Sequence, residues 1–273
     1  MAHIDWITIV GRRDVENDWT IRHAYQSACE WLEDNHPAFV EAFGSPLSSD
    51  YEIVKPRAPY SYARRSTDCT RTLYVHPLSA HFTFEASGQH CQRIAPLIPP
   101  LLAQFYGSFS RLDVAVDMEC ATTPADFAAR AVTPRITTRS VMVSPSGETV
   151  YIGSRSSERF TRVYRYKEPH PRARLLRAEF QLKGDYANEL ALQIGAGVTL
   201  GSLAAGLGEV FGFRHPSWKT DGEAVGVRVP SHAQSGNTIA WLTSTIAPLL
   251  QRLEREKKLD VRKWFEEYVT NQP

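Results

Sequence analysis

The stretch Arg111-Leu112-Asp113-Val114-Ala115-Val116-Asp117 alternates without a break between charged or small side chains and branched apolar ones. A period of two is the signature of a half-buried β-strand with one apolar and one polar face. Two carboxylates and a guanidinium beside a core are costly to desolvate unless something compensates them. Related text returns twice further on. Arg162-Val163-Tyr164-Arg165-Tyr166-Lys167 alternates loosely, and Arg177-Ala178-Glu179-Phe180-Gln181-Leu182-Lys183 does so strictly. Strands with charged faces predict a sheet that keeps one face for chemistry.

The remaining pattern fits around that sheet. Strands are predicted at Ile4 to Val10, Leu73 to Val75, Ala80 to Ala86, Ile136 to Val143 and Thr149 to Ile152. Helices are predicted from Val15 to Leu32, from Cys91 to the Pro99-Pro100 pair, and from Thr123-Pro124, where proline suits a first turn. Further helices follow at Asp185 to Ile194, Leu200 to Phe211 and Ile239 to Tyr268, the last with Leu249, Leu250 and Leu253 on one face. No solenoid-type repeat is visible. Mixed elements with hairpin-like pairs give an α+β class, a largely antiparallel central sheet with flanking helices and a helical C-terminal region. The expected organisation is an N-terminal strand and helix region, 1–70, packing on or extending a catalytic region, 71–215, followed by a helical region, 216–273. Gly195, Gly197, Gly201, Gly206 and Gly208 read as caps, a turn or points of close packing.

Cys29, Cys69, Cys91 and Cys120 are scattered and lack metal-knuckle spacing, which argues against a disulfide framework or structural zinc. No apolar run reaches the ~18 to 20 residues of a membrane span, and the opening MAHIDWITIVGRRD does not read as a signal peptide. The expectation is a soluble intracellular protein. Net charge is only +1, but arginine outnumbers lysine 24 to 7, a bias suited to bidentate recognition of phosphate and carboxylate. Residues 151–177 concentrate it, with eight basic side chains against two acids. A nucleotide-hydrolysing loop is absent: Gly153-Ser154-Arg155-Ser156-Ser157 lacks the phosphate-cradling lysine pattern.

Candidate chemistry comes from carboxylates and tyrosines. Asp113 and Asp117 stand roughly 13 Å apart along one strand, too far to share an ion. Asp113 and Glu179 form a site for Mg²⁺ or Mn²⁺ if their strands are neighbours. The alternative is that each acid simply pairs with neighbouring arginines across strands. Tyr164 and Tyr166 share a face with Arg162, flanked by Arg159, Arg165 and Lys167. Such a phenol can serve as a nucleophile on a phosphodiester, or merely pack within its strand.

Five segments in order resemble the replication initiation factor family, the rolling-circle initiators of plasmids, filamentous phages and conjugative elements. They are Phe84-Glu85-Ala86-Ser87-Gly88-Gln89 with Cys91-Gln92-Arg93, then Arg111 to Asp117, Tyr151 to Glu158, Arg162-Val163-Tyr164 and Arg177-Ala178-Glu179-Phe180. The resemblance implies a metal-dependent nickase that cuts one origin strand through a tyrosine, becomes linked to the 5′-phosphate and leaves a 3′-OH primer. It implies Tyr164 as nucleophile, with Tyr166 a competitor because Lys167 falls one place late for the family's Arg-x-Tyr-x-Lys pattern. Asp113 and Glu179, with Asp117 or Glu85, would hold Mg²⁺ or Mn²⁺, and Arg162 and Lys167 would offset phosphoryl charge. Arg155, Arg159, Arg165 and Arg177 would contact the DNA. The implied partners are single-stranded or extruded-hairpin origin DNA, a host helicase and polymerase, and a second copy in a homodimer, in the cytoplasm of a bacterial host. A water-using metal nuclease and a non-catalytic origin-binding protein are the alternatives.

Overall fold

In the computed structural model the described residues are 2–12, 29–30, 33–34, 36–76, 81–98, 101, 108–131, 138–144, 147–166, 169–213, 223–228 and 260. The expected helices at 15–32 and 239–268 lie largely or wholly outside them. The chain divides into two units, Met1–Arg228 and Val229–Pro273. Every strand and helix bounded within the described residues belongs to the first.

Its strands are β1 (Ala2–Arg12), β2 (Tyr51–Val54), β3 (Tyr62–Ser66), β4 (Arg71–Val75), β5 (His81–Ser87), β6 (Ser108–Glu119), β7 (Arg139–Ser144), β8 (Gly147–Ile152), β9 (Arg159–Arg165) and β10 (Leu175–Lys183). They form one ten-stranded sheet in the order β2-β3-β4-β5-β1-β6-β10-β9-β8-β7. Every pairing is antiparallel. From the segment 1–70, β1 lies at the centre of the sheet and β2 and β3 extend it. The helices bounded within the described residues are α1 (Pro37–Phe43), α2 (Gln89–Ile94), α3 (Pro124–Ala129), α4 (Asp185–Gly195) and α5 (Leu200–Val210).

Alternation decides which face these helices cover. Ile7 and Ile9, Phe82 and Phe84, Leu112, Val114 and Val116, and Ala178, Phe180 and Leu182 all point one way and are buried. Against them pack Phe39 and Phe43 of α1, Cys91 and Ile94 of α2, Phe127 of α3, Leu190 of α4 and Leu203 of α5. Aromatic contacts join the layers, Phe43 to Phe84 at 3.9 Å and Phe180 to Phe211 at 5.6 Å between centroids. The opposite face carries the charged positions. Thr123 caps α3 as the Thr-Pro signal suggests, its hydroxyl accepting the Asp126 amide at 3.1 Å.

Gly206, in α5, sits against the backbone of residues 225–226, where an added Cβ would meet the Val225 carbonyl oxygen at 2.0 Å. Backbone cannot rotate away as a side chain can. Gly206→Ala is therefore expected to destabilise by about 1–3 kcal/mol from overpacking, outweighing the ~1 kcal/mol that alanine returns in helix propensity. Urea unfolding at equilibrium checks it.

The topology is built twice. Each half starts with a central strand (β1 or β6), sends the chain outward, and returns through a four-stranded meander whose last strand (β5 or β10) pairs with the first. Each meander ends at a glycine with positive φ, Gly88 at 65° and Gly184 at 54°. The two amides bond to the first strand, at Asp5 O and Ser110 O, 3.0 and 3.1 Å away. A helix begins next in both. Where the halves meet, Ile7 pairs with Leu112, while Trp6 pairs with Asp113 and Thr8 with Arg111. A two-fold axis beside Ile7–Leu112 exchanges those flanking pairs. It makes Thr8 the counterpart of Asp113, Thr83 of Glu179, Glu85 of Gln181 and Tyr74 of Arg162.

Candidate active site on the polar face

Central strands β6, β10 and β9 build the site. β10 lies beside β6 with Asp113 opposite Gln181 and Glu179 opposite Ala115. Asp113 and Glu179 are thus diagonal neighbours, as are Glu179 and Asp117, around the small side chain of Ala115. On the far side of β10, Glu179 faces Arg162, and Arg177 faces Tyr164.

Arginine meets every one of these acids. Arg111 chelates Asp113 through Nε (2.8 Å) and Nη2 (2.5 Å) and lies 4.5 Å above the ring of Trp6. With its amide oxygen turned inward, Gln181 accepts from the same guanidinium. Arg162 donates to Glu179 Oε1, and Tyr164 donates to Glu179 Oε2 at 3.0 Å. Pairing of acids with arginines is what the side chains adopt, across strands for Glu179 and Asp117 and along β6 for Asp113. It leaves open sides, because Arg111 and Arg162 are respectively 26% and 35% exposed while their partners are buried.

Burial of two carboxyls side by side sets the electrostatics. Desolvation pushes Asp113 up to about 7, the charge of Glu179 adds to that, and Arg111 opposes it. Burial would also raise Glu179, but the hydrogen bond and charge of Arg162 hold it below its ordinary value. The two shifts run in opposite directions, so Asp113 is the member of the pair that holds a proton longer as pH rises. Tyr164 is pushed well up, by burial first and then by the Glu179 charge. A group with a raised folded pKa adds stability at low pH and loses it as pH rises through that pKa; for Asp113 the window runs from about 4 to about 7. Glu179, with a lowered pKa, loses its contribution only at lower pH. In chelator-treated protein, melting temperature is expected to fall between about pH 4 and about pH 7, and Asp113→Asn to flatten that fall. Thermal scans at several pH values check it.

The buried acid pair also bears on the metal expectation. Mg²⁺ keeps several waters and takes one or two carboxylates plus substrate phosphate. Asp113 and Glu179 supply that number, so these residues fit such an ion. No group of three or more His, Cys, Asp or Glu side chains among the described residues is arranged to chelate one.

Other expected site residues sit elsewhere. Asp117 is held by Arg177, through Nε (2.7 Å) and Nη2 (2.9 Å), and by Arg172 at 3.2 Å. Glu85 pairs with Arg57, two strands away from β6. Arg177, expected on DNA, is 1% exposed; it also donates to Asp5 at 2.9 Å and meets His3 Nε2 at 3.1 Å, so it is an internal tie. Arg165 points to the helix-bearing face and donates to the carbonyls of Arg174, Cys120 and Thr122. Arg159 shares that parity and stacks on Tyr186 at 4.2 Å. Arg155 alone of the four is exposed, over the ring of Tyr151 at 4.1 Å. Lys167 lies outside the described residues. Tyr166 meets Tyr164 edge-on at 5.4 Å, stacks on His170 at 3.9 Å and lies under Arg177 at 5.1 Å.

Sequence reasoning passed over His3, Asp5 and Trp6, which complete the site from β1. The alternation His3-Ile4-Asp5 was the available signal, but a β-bulge between Ile4 and Trp6 breaks its phase.

A solved structure with a similar fold is that of the rolling circle replication initiator protein from Geobacillus stearothermophilus. It matches over 77% of this chain and 84% of that one, at 18% identity and a TM-score of 0.57. The chain has the fold of a rolling-circle replication initiator. In this chain the large antiparallel sheet carries the described helices on one face and the Asp113–Glu179–Tyr164 cluster on the other. A second structure, a putative protein in the dynemicin biosynthetic locus, aligns over 70% of this chain and 91% of that one at 12% identity, with a TM-score of 0.20, too low to indicate a shared fold. No family model matches the sequence. No curated protein matches it either. No helix among the described residues is long and apolar enough to cross a membrane.

Proposed function

We propose that this protein is a rolling-circle replication initiator that nicks and rejoins one strand of origin DNA, with Tyr164 as the nucleophile. The observation that carries the reading is the 3.0 Å hydrogen bond from the Tyr164 hydroxyl to the buried Glu179 carboxylate. It joins a phenol to a proton acceptor within general-base reach. Tyr164 Oη attacks the phosphorus and its proton passes to Glu179. The 3′-oxygen leaves and is protonated from solvent, yielding a 3′-OH and a 5′-phosphotyrosine. Arg162, already on Glu179 and half-open to solvent, is placed to offset charge on the phosphoryl oxygens. A divalent cation held by Asp113 and Glu179 would polarise those oxygens. Arg155 and Tyr151 beside the centre offer a cation and a ring to the DNA flank.

Tyr166 is the second candidate, because its ring lies against Tyr164 and against His170. Incubation with labelled oligonucleotides tiling a candidate origin, in Mg²⁺ or Mn²⁺, separates the readings. A protein–DNA adduct whose peptide maps to Tyr164 is the expected result. Mapping to Tyr166 reassigns the nucleophile. Cleavage with no adduct on a denaturing gel indicates a water-using nuclease, and binding with neither indicates a non-catalytic protein.

A further inference from the structure

The two-fold repetition of the sheet puts a second copy of the site's geometry in the first half, with different side chains. Where the active half has Asp113 and Glu179, this half has Thr8 and Thr83, both buried and uncharged. The position of Arg162 is taken by Tyr74. Even the phenol has a chemical analogue. Tyr60, from the loop before β3, shares a hydrogen bond with Thr83 at 2.7 Å, as Tyr164 bonds to Glu179.

Over these two threonines lies a cation–aromatic stack. The Tyr60 and Tyr74 rings are 4.9 Å apart at 30°, and Arg57 lies 4.7 Å from Tyr74 and 5.9 Å from Tyr60. Arg57 is 55% exposed and pairs with Glu85. Tyr60 is half-buried. Replacement of both carboxylates by threonine removes the acid pair of the other half, and the one acid beside the stack, Glu85, is ion-paired to Arg57. The half-buried ring and the exposed guanidinium are the combination that stacks unpaired bases without reading sequence. The stack stands five strand spacings from Tyr164, roughly 24 Å, on the same face.

We propose that the Arg57–Tyr60–Tyr74 cluster is a second, non-cleaving DNA site that stacks one unpaired base of single-stranded DNA. It holds the strand while the Asp113–Glu179–Tyr164 half acts on it. This rests on the nicking reading above, and it assigns the first half of the sheet the task of grip.

The test is fluorescence anisotropy with a labelled oligo-dT strand in EDTA, which prevents strand cleavage. Arg57→Ala and Tyr60→Ala are expected to weaken binding about 5- to 100-fold, the range for loss of one stacked base. Tyr60→Phe keeps the ring and is expected to bind like wild type. A strand carrying abasic sites should bind wild type more weakly than intact oligo-dT, and should show no such penalty with Tyr60→Ala. Circular dichroism melts identify any variant that has unfolded, for which Arg57→Ala, at an exposed position, is the control. Unchanged affinity in Arg57→Ala and Tyr60→Ala, with wild type binding, overturns this site and leaves the nicking reading standing. A wild-type protein that binds no single strand overturns both.

Discussion

Replacing Tyr164 by phenylalanine is expected to abolish the covalent protein–DNA adduct and lower nicking on the order of 10⁴- to 10⁶-fold, the scale for loss of an enzymatic nucleophile. The substitution removes one oxygen. The ring that meets Tyr166 edge-on and lies beside Arg162 stays, and Glu179 keeps its bond from Arg162. Affinity for a single strand should therefore be unchanged while chemistry is lost, a split that a folding defect would not produce. Single-turnover cleavage and a denaturing gel, run beside Tyr166→Phe, read it out. Full cleavage by Tyr164→Phe would sink the assignment. Glu179→Gln should also lose cleavage, but with lower stability, because Arg162 then faces a neutral amide.

Arg177→Ala is expected to give the largest loss of stability, about 3–5 kcal/mol, the range for breaking a buried ion pair from one side. The guanidinium is 1% exposed and ties Asp117, Asp5 and His3 across β10, β6 and β1. Burial would raise Asp117, but the Arg177 hydrogen bond and charge hold it below its ordinary value. Removing the guanidinium takes from Asp117 and Asp5 their most buried cation, leaving Arg172 on the first and His3 on the second, and frees Tyr166 of the cation on its ring. Melting temperature should drop by about 10 °C for a unit of this size. An Arg177→Met, Asp117→Leu double variant should recover most of it, since a packed apolar pair replaces a buried ionic one at little cost. A shift no larger than an exposed arginine gives, for example at Arg155, would show that Arg177 is not the tie described.

Much of this was legible in the chain. The alternation of Arg111 to Asp117 marked the central strand, and the matching text at Arg177 to Lys183 marked its neighbour. Register was not legible. Glu179 stands opposite Ala115 and diagonal to Asp113 because main-chain hydrogen bonding and bulges set the phase, and side-chain pattern does not encode them. β1 read correctly as a strand, yet nothing in its period tells a central strand from an edge. The fate of Arg177 was hidden for another reason: an arginine on a charged face reads as solvated, and only the assembled neighbours Asp5, His3 and Asp117 make its burial tolerable. The duplication escaped because it is one of backbone path. At its matching positions threonine stands for aspartate and for glutamate, and tyrosine for arginine.

The pairing of arginine with acid across the polar face has a further consequence. The surface carries its own counter-ions, so a phosphate arriving at Arg162 or Arg111 displaces a carboxylate as well as mobile salt. Binding of DNA should accordingly release fewer ions than the number of guanidiniums touched would suggest, with a shallower salt slope. The displaced Asp113 and Glu179 are then left seeking a cation of their own. By reciprocity, whatever cation satisfies them favours the DNA, and the DNA favours the cation, to the same degree. On the proposed function, the face would work as an exchanger in which neither visitor is fully accommodated until the other has come.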